Sequence, residues 1–388
     1  MKNFTYAIPT VVHFGEGQIK KLGGEIAARA SRVLVVYGGG SVKRNGVFDA
    51  AAAQLKEHGI PWAELPGVEP NPRVATVREG VRLCREQGLD GVLALGGGSV
   101  IDCAKGIAAG FYYGGDPWDL SGKKLTPERA LPIFTVLTMA ATGSEMDNIA
   151  VISNPETNEK ESFSGPCCYP AVSILDPTYT YSLPASQTAA GTADIMSHTL
   201  ENYFSPIEDN YLADSLAEAI LRSCVKYGPK AIETPGDYEA RANLMWNAAW
   251  AINGFLDMGK PVAWSVHRME HELSAFYDVT HGVGLAILTP NWMRYVLSET
   301  TQGRFARYGA AVWGLDPALP ARKAAEAAIQ KTRDFFSASL GLPATLSELG
   351  IGPEYFPEMA RKARNSGFDR TFVPLSVEDI VNIYQMSL

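Results

Sequence analysis

The stretch Asp90–Gly110, DGVLALGGGSVIDCAKGIAAG, decides the fold, because it reads as a buried strand, a glycine turn and a helix in succession. Arg32–Gly40, RVLVVYGGG, likewise predicts a buried strand that runs into a glycine turn. Leu131–Thr138, LPIFTVLT, predicts a further buried strand. Strands that alternate with helical stretches indicate a mostly parallel sheet covered by helices, which is an α/β domain.

After Leu183 the strand signals fade and long helical stretches follow. Asn210–Gly228 and Tyr238–Phe255 both repeat apolar residues at spacings of three and four, as one face of a helix does. We therefore expect an α/β dinucleotide-binding domain over residues 1–183 and an all-helical, metal-binding domain over residues 184–388. The break is placed at Leu183-Pro184 because a residue before proline disfavours the helical conformation.

The composition excludes several classes of function. The 388 residues carry a formal net charge of -8, which argues against nucleic acid or an anionic membrane as the main partner. The N-terminus lacks the continuous apolar segment of a signal peptide, so we expect a cytoplasmic protein. The five cysteines form an odd set without C-x-x-C spacing and predict free thiols, although the adjacent Cys167 and Cys168 also allow a redox pair.

Two glycine turns, Gly38–Ser41 and Gly96–Ser99, follow the predicted strands. Neither fits G-x-G-x-x-G, because Lys43 and Ile101 occupy the place of the third glycine. A glycine turn before a helix still lets the backbone approach a phosphate at a positive helix end. The alternative for the second turn is a capping box between Ser99 and Asp102. The repetition of the turn on a parallel sheet favours a nucleotide at the carboxyl ends of the strands.

Asp194 and His198 lie four residues apart in a helical stretch, and His267 and His271 repeat that spacing. Residues four apart share one face of a helix. Taken singly, a pair of this kind is more often an ordinary hydrogen bond at the surface or in the core. Together with His281, however, the set offers one carboxylate and several imidazoles and no thiolate, which suits zinc or ferrous iron better than calcium or magnesium.

Seven longer motifs then carry a resemblance along the whole chain. They are, in order, YGGGSVKRNG, GVEPNPR, GGGSVIDCAK, ATGSEMD, SILDPTYTYSLP, QTAAGTADIMSHTLE and HRMEHELSAFYDVTHGVGLAILTPNW. By these the chain resembles the iron-containing (group III) alcohol dehydrogenases, and most of all their butanol dehydrogenase branch. The resemblance implies a Rossmann-like domain followed by a helical bundle, as in dehydroquinate synthase. It also implies NAD(P)(H), one divalent metal with iron(II) favoured over zinc, and a small aldehyde or alcohol as substrate.

The resemblance also implies roles for single residues. The metal ligands would be Asp194, His198, His267 and His281, and His271 would be a catalytic proton relay beside them. The cofactor-binding residues would be Gly38, Gly39, Gly40, Ser41, Lys43, Asn71, Gly97, Gly98, Ser99, Asp102, Thr138, Thr142, Ser144, Lys160 and Tyr179. Tyr179 departs from the family's usual leucine, which leaves its contact open. Glu272 stands where many relatives have proline, but the butanol branch has H-E-L there.

Two further expectations concern the cofactor and the assembly. Gly39 stands where an NAD-selective aspartate is expected, and Lys43 and Arg44 supply positive charge, so NADP(H) is predicted to be favoured over NAD(H). The alternative is that both basic residues are solvated. Phe4, Tyr6 and Ile8 alternate as in a strand, and an unpaired terminal strand predicts a homodimer, unless that strand merely completes its own sheet.

Three rival functions share parts of this pattern. A glycerol-type polyol dehydrogenase and a dehydroquinate synthase-like lyase share the cofactor and the metal, whereas a metal-dependent hydrolase would need no glycine turns. The motif around His267 and His281 favours the alcohol dehydrogenase over all three.

Overall fold

The computed structural model describes residues 2–123, 125–207, 210–262, 264–365, 368 and 371–388. Within them, six strands form one parallel sheet and two form an antiparallel hairpin. The strands of the sheet are β1 (Val11–Phe14), β2 (Val33–Tyr37), β3 (Trp62–Leu65), β4 (Gly91–Gly96), β5 (Ile133–Leu137) and β8 (Val172–Leu175). The hairpin consists of β6 (Ile149–Asn154) and β7 (Glu159–Ser164).

The sheet has the strand order β1-β8-β5-β4-β2-β3, so β2 and β4 are neighbours inside it. Every residue of both strands is buried, which explains why they read as continuous apolar runs instead of alternating ones. Their side chains alternate between two apolar clusters, one on each face. The sheet predicted from the glycine-ended strands is thus confirmed, and with it the α/β plus all-α fold class.

The chain divides into two compact units. The sheet unit comprises Ala7–Leu183 and Pro235–Asn253, and the helical unit comprises Met1–Tyr6, Pro184–Thr234 and Gly254–Leu388. Helices of the sheet unit are α1 (Leu22–Ala27), α2 (Ser41–Arg44), α3 (Val47–Glu57), α4 (Val74–Gln87), α5 (Gly98–Tyr112) and α8 (Tyr238–Ile252). Helices of the helical unit are α6 (Ala185–Tyr203), α7 (Tyr211–Glu233), α9 (Ser265–Tyr277), α10 (His281–Val296), α11 (Gln302–Trp313), α12 (Ala321–Asp334), α13 (Phe356–Asn365) and α14 (Val377–Met386).

This grouping differs in two places from a single break at Leu183-Pro184. Helix α8 belongs to the sheet unit because it packs against the turns Ser144–Met146 and Pro177–Thr180. The first six residues belong to the helical unit. Tyr6 packs there against Phe255, with ring centroids 5.8 Å apart.

The predicted N-terminal strand is shorter than expected. Phe4, Tyr6 and Ile8 precede β1, which begins only at Val11 and pairs in parallel with β8. Pro9 stands between them and has no N–H to donate to a ladder. One side of β1 remains an edge of the sheet. No helix among the described residues is both long and apolar enough to cross a membrane.

Helix α6 forms the centre of the helical unit, since every residue from Thr188 to Tyr203 is buried. It packs against α10 at very short range. A Cβ atom added at Gly282, the second residue of α10, would lie 2.0 Å from the carbonyl oxygen of Ala190 in α6. Glycine at this position therefore lets the two helices approach.

We predict that Gly282→Ala destabilises the protein by about 1–3 kcal/mol or more, because the added methyl group has to push α10 away from the backbone of α6. The matched control is Gly303→Ala, also in a helix, where an added Cβ meets nothing within 4 Å. That control should be neutral or stabilising by up to about 1 kcal/mol. Chemical unfolding measures both changes, and equal stability of the two variants would contradict the close approach.

Candidate metal centre and cofactor-binding edge

Asp194 and His198 lie one turn apart on α6 and are both buried, with relative exposures of 3% and 4%. The distance from Oδ1 of Asp194 to Nε2 of His198 is 3.6 Å. Thus the spacing of four along a buried helix aims both side chains at one point inside the helical unit.

Two further imidazoles reach the same point from the first turns of α9 and α10. Oδ1 of Asp194 is 3.9 Å from Nε2 of His267 and 3.7 Å from Nε2 of His281. The four ligand atoms all lie within 4.8 Å of one another. Bonds of about 2.0–2.2 Å to one tetrahedral metal would separate ligand atoms by about 3.3–3.6 Å, so the set is only slightly wider than a closed metal site.

The chemistry of these residues fits a bound cation. Nε2 of His267 is buried and makes no hydrogen bond to any described residue. Burial, together with the neighbouring His267 and His281, holds the pKa of His198 well below its ordinary value of 6.5, so this imidazole is neutral. A neutral imidazole offers a lone pair to a metal and cannot balance the charge of Asp194. The residues present therefore suit one divalent transition metal.

Glu201 fixes the position of His267. Its carboxylate accepts backbone N–H groups from Ser265, Val266 and His267 at 2.7–3.0 Å, and thereby holds the first turn of α9. Oε1 of Glu201 is also 3.3 Å from Nδ1 of His267. A carboxylate behind a ligating imidazole orients the ring and raises its basicity.

Glu270 plays the same part for His281. One oxygen of the fully buried Glu270 hydrogen-bonds Nδ1 of His281, and the other accepts from the hydroxyl of Ser274 at 2.5 Å. Both imidazoles thus turn Nδ1 to a carboxylate and Nε2 to Asp194. Neither Glu201 nor Glu270 was predicted from the sequence, although each lies three residues after a predicted ligand histidine and so one turn away.

Trp264 packs on two of the imidazoles. It precedes α9 in the left-handed conformation, with φ of 54°, which a residue other than glycine adopts only at a cost. Its ring centroid lies 5.8 Å from that of His198 and 5.1 Å from that of His267, edge-on to both. The strained backbone therefore places an aromatic wall against the ligand rings.

His271 stands apart from the four converging groups. It is half-buried on α9, and its ring centroid is 5.7 Å from that of His281. With Glu270 and His281 it forms a second set of ligand atoms within 4.8 Å. The predicted proton relay thus lies next to the candidate metal centre.

The predicted cofactor residues lie in the sheet unit, most of them where parallel strands end. Gly38–Ser41 follows β2, Gly97–Ser99 follows β4 and Thr138 follows β5. The registers place Tyr37 beside Leu95 and Gly96 beside Leu137, so these three strands end together. The carboxyl edge of a doubly wound sheet is where such folds bind nucleotides.

Gly98 begins α5 and is packed by the loop that follows β5. A Cβ atom added at Gly98 would lie 2.3 Å from Oγ1 of Thr142, so only glycine fits there. No side chain caps α5, which excludes the capping box between Ser99 and Asp102. Val100 and Ile101 donate their N–H groups to the carbonyl of Gly97, so a ligand or water can reach only the N–H groups before them at this helix start.

Asp102 instead belongs to a buried polar network. Its carboxylate accepts from the hydroxyl of Ser144 at 2.6 Å and from the N–H of Val151 at 3.0 Å. The fully buried ammonium of Lys105 donates to Ser144 at 2.8 Å and to Asp147 at 2.6 Å. Burial raises the pKa of Asp102 to about 6. The network ties α5 to the hairpin and to the Thr142–Ser144 loop.

The remaining predicted cofactor residues lie on other segments of the sheet unit. Asn71 is buried between β3 and α4 with φ of 53°, and Lys160 is buried in β7. Tyr179 follows β8 and is partly buried, which raises the pKa of its phenol to about 12. Lys43 extends from α2 to Glu64 in β3, with 2.8 Å between ammonium and carboxylate.

Two family models match this chain. The model of the iron-containing alcohol dehydrogenases matches residues 9–177, and that of the C-terminal part of the same family matches residues 188–388. The chain belongs to the iron-containing alcohol dehydrogenase family. It is therefore an oxidoreductase of that family, as the resemblance implied.

Curated and structurally solved members of the family are similar to this chain over nearly its whole length. NADH-dependent butanol dehydrogenase A of Clostridium acetobutylicum is 56% identical over 100% of both chains. The NADPH-dependent aldehyde reductase YqhD of Escherichia coli is 39% identical over 95% of this chain and 94% of its own. The crystal structure of NADH-dependent butanol dehydrogenase A from Thermotoga maritima superposes with a TM-score of 0.95 at 39% identity, covering 100% and 99%.

We predict that Glu270→Gln lowers the affinity for the metal about 10- to 100-fold, because the imidazole of His281 loses the carboxylate behind it. The control Glu326→Gln removes the same charge from an exposed ion pair with Arg322. Metal content after dialysis against graded chelator, measured by mass spectrometry, compares the two variants. Unchanged metal retention in Glu270→Gln would contradict the role of this carboxylate.

Proposed function

We propose that this alcohol dehydrogenase reduces short primary aliphatic aldehydes, such as butanal, to alcohols and catalyses the reverse oxidation. The observation that carries the proposal is the convergence of one buried carboxylate and three imidazole Nε2 atoms on one point. The activities for which two relatives are named, butanol dehydrogenase and aldehyde reductase, support the substrate class.

The helical unit would supply the metal ligands and the residues that orient them. Asp194, His198, His267 and His281 would hold one divalent metal, with iron(II) favoured, while Glu201 and Glu270 orient two of the imidazoles. The metal, when bound, would act as a Lewis acid on the carbonyl oxygen, and a bound nicotinamide would supply the hydride. Trp264 would keep water from the face of His198 and His267 on which it packs.

His271 would carry the proton. Reduction of an aldehyde places a proton on the new hydroxyl group, and this proton has to come from a side chain or from solvent. His271 is half-buried and lies beside His281, which gives it access both to the site and to water. Imidazole suits this step because its ordinary pKa is close to neutral.

The sheet edge would hold the dinucleotide. Gly97, Gly98 and Ser99 would receive the pyrophosphate, because the start of α5 is uncapped and Gly98 admits no side chain. Thr138, Thr142 and Ser144 line the neighbouring loop, where we place the nicotinamide side. Gly38–Ser41 and Lys43 would receive the adenosine ribose. NADP(H) over NAD(H) stays a prediction, to be tested by kcat/KM for the two reduced cofactors on one aldehyde.

Assembly and location are further proposals. A cytoplasmic location is supported by the five cysteines, all of which are free thiols. A homodimer is supported by the edge strand β1, on which Val11 and Phe14 are 38% and 37% exposed. Phe14 packs there against the equally exposed Trp246, so the edge carries an apolar surface.

The function is tested with butanal and NADH or NADPH on protein loaded with iron(II) without oxygen, against oxidation of glycerol. We expect the wild type to reduce butanal, His281→Ala to lose both metal and turnover, and His271→Ala to keep most of its metal while losing rate. Faster glycerol oxidation would favour a polyol dehydrogenase. Equal loss of metal in both variants would make His271 a ligand.

The dimer is tested by light scattering at micromolar concentration. We expect twice the chain mass for the wild type and the single chain mass for Val11→Lys, because a charge on an edge strand opposes pairing with a second copy. A control, Lys20→Ala, changes a neighbouring exposed residue outside the strand. A monomeric wild type would rule the dimer out.

A further inference from the structure

The ammonium group of Lys43 is held by three side chains at the carboxyl edge of the sheet. It is 2.8 Å from Oε2 of Glu64, and it lies 5.0 Å from the ring centroid of Tyr37 and 4.4 Å from that of Phe48. The hydroxyl of Tyr37 donates to the same oxygen of Glu64 at 2.6 Å. The positive charge thus rests between a carboxylate and two aromatic faces.

This cluster lies beside the glycine loop predicted to receive the adenosine ribose. Tyr37 ends β2 immediately before Gly38, and Lys43 follows the loop in α2. Glu64 lies in the adjacent strand β3, opposite Val35. A Cβ atom added at Gly39 would meet nothing within 4 Å, so the loop itself leaves open space.

We propose that Glu64 is the residue that sets the preference between NADH and NADPH, by holding the ammonium of Lys43 and offsetting its charge. The inference rests on the proposed function and adds a specificity-determining residue to it. A 2′-phosphate carries a charge of about -1.5 to -2 and needs a cation beside it. It would have to draw Lys43 away from Glu64 and to lie near a second negative charge.

The 2′-hydroxyl of NADH does not need Lys43 to leave Glu64, and it is not repelled by the carboxylate. It is neutral, so the paired Lys43 and Glu64 cost it nothing, and a carboxylate is an acceptor that a ribose hydroxyl can use. Glu64 therefore disfavours NADPH selectively. It offers at this edge of the sheet the negative charge that Gly39 does not supply.

The size of the effect follows from the exposure of the pair. The side chains of Lys43 and Glu64 are 46% and 37% exposed, and exposed ion pairs are worth little in water. Lys43 can thus be drawn away without unfolding anything. We expect removal of the Glu64 charge to change the cofactor ratio about three- to tenfold.

The experiment compares kcat/KM for NADPH and NADH on butanal in four variants. Glu64→Gln should raise the NADPH to NADH ratio about three- to tenfold, while Lys43→Met should lower it. In the double variant, Glu64→Gln should have a clearly smaller effect, because no ammonium is left to release. The control Glu79→Gln removes an equal charge from an exposed pair with Arg82 on α4 and should leave the ratio unchanged.

A second readout avoids catalysis altogether. Titration calorimetry with 2′,5′-ADP and 5′-AMP on metal-free protein measures the 2′-phosphate alone. Glu64→Gln should tighten 2′,5′-ADP about three- to tenfold and leave 5′-AMP unchanged. If Glu64→Gln tightened 2′,5′-ADP equally with Lys43 present and with Lys43 replaced by Met, Glu64 would not act by holding Lys43. An unchanged affinity for 2′,5′-ADP in Glu64→Gln would overturn the proposal.

Two different outcomes separate the role of Glu64 from the proposed function. A wild type that reduces no aldehyde with either cofactor would overturn the proposed function. A wild type that reduces butanal, with a cofactor ratio and a 2′,5′-ADP affinity that Glu64→Gln leaves unchanged, would overturn only the role of Glu64.

Discussion

The carboxylate of Asp194, buried at the centre of the helical unit, is the constraint from which the rest of that unit follows. A buried carboxylate needs positive charge beside it, and the neutral His198 cannot provide that charge. A cation at this point would balance that charge, and side chains from three helices converge where they could hold it. Helix α6 is buried throughout, and α9 and α10 both begin at this point, so that their first turns deliver His267 and His281.

The parts of the site that sequence could predict are those whose cause is local. The strands β2, β4 and β5 were predicted because fully buried strands read as apolar runs. Asp194 and His198 stood out because a spacing of four on a helix brings two side chains together. Their convergence with His267 and His281 needed either the family resemblance or the structure, since these contacts span about seventy to ninety residues of sequence.

The parts that sequence missed depend on contacts between distant segments. Glu201 holds the first turn of α9 by accepting three backbone N–H groups. No sequence pattern near residue 201 predicts these partners, which lie more than sixty residues away. Asp102 was predicted to lie near the cofactor, with a capping box as the alternative, but Ser144 and Val151 bond to its two oxygens. The strand expected around Tyr6 was wrong because Pro9 interrupts the ladder and Phe255 offers that ring an apolar contact.

Helix α6 fixes Asp194 and His198 in a buried and regular backbone, so half of the ligand set exists before any ion arrives. Ligands that are already ordered lose little conformational freedom on coordination. Extraction of the ion by a chelator should then leave a folded frame that can be refilled. Such a frame of three imidazoles and one carboxylate would accept several first-row ions, whose affinities follow a common chemical order. If the four residues hold the metal as proposed, the ion carried in a cell would be decided by the supply of metal at least as much as by the protein.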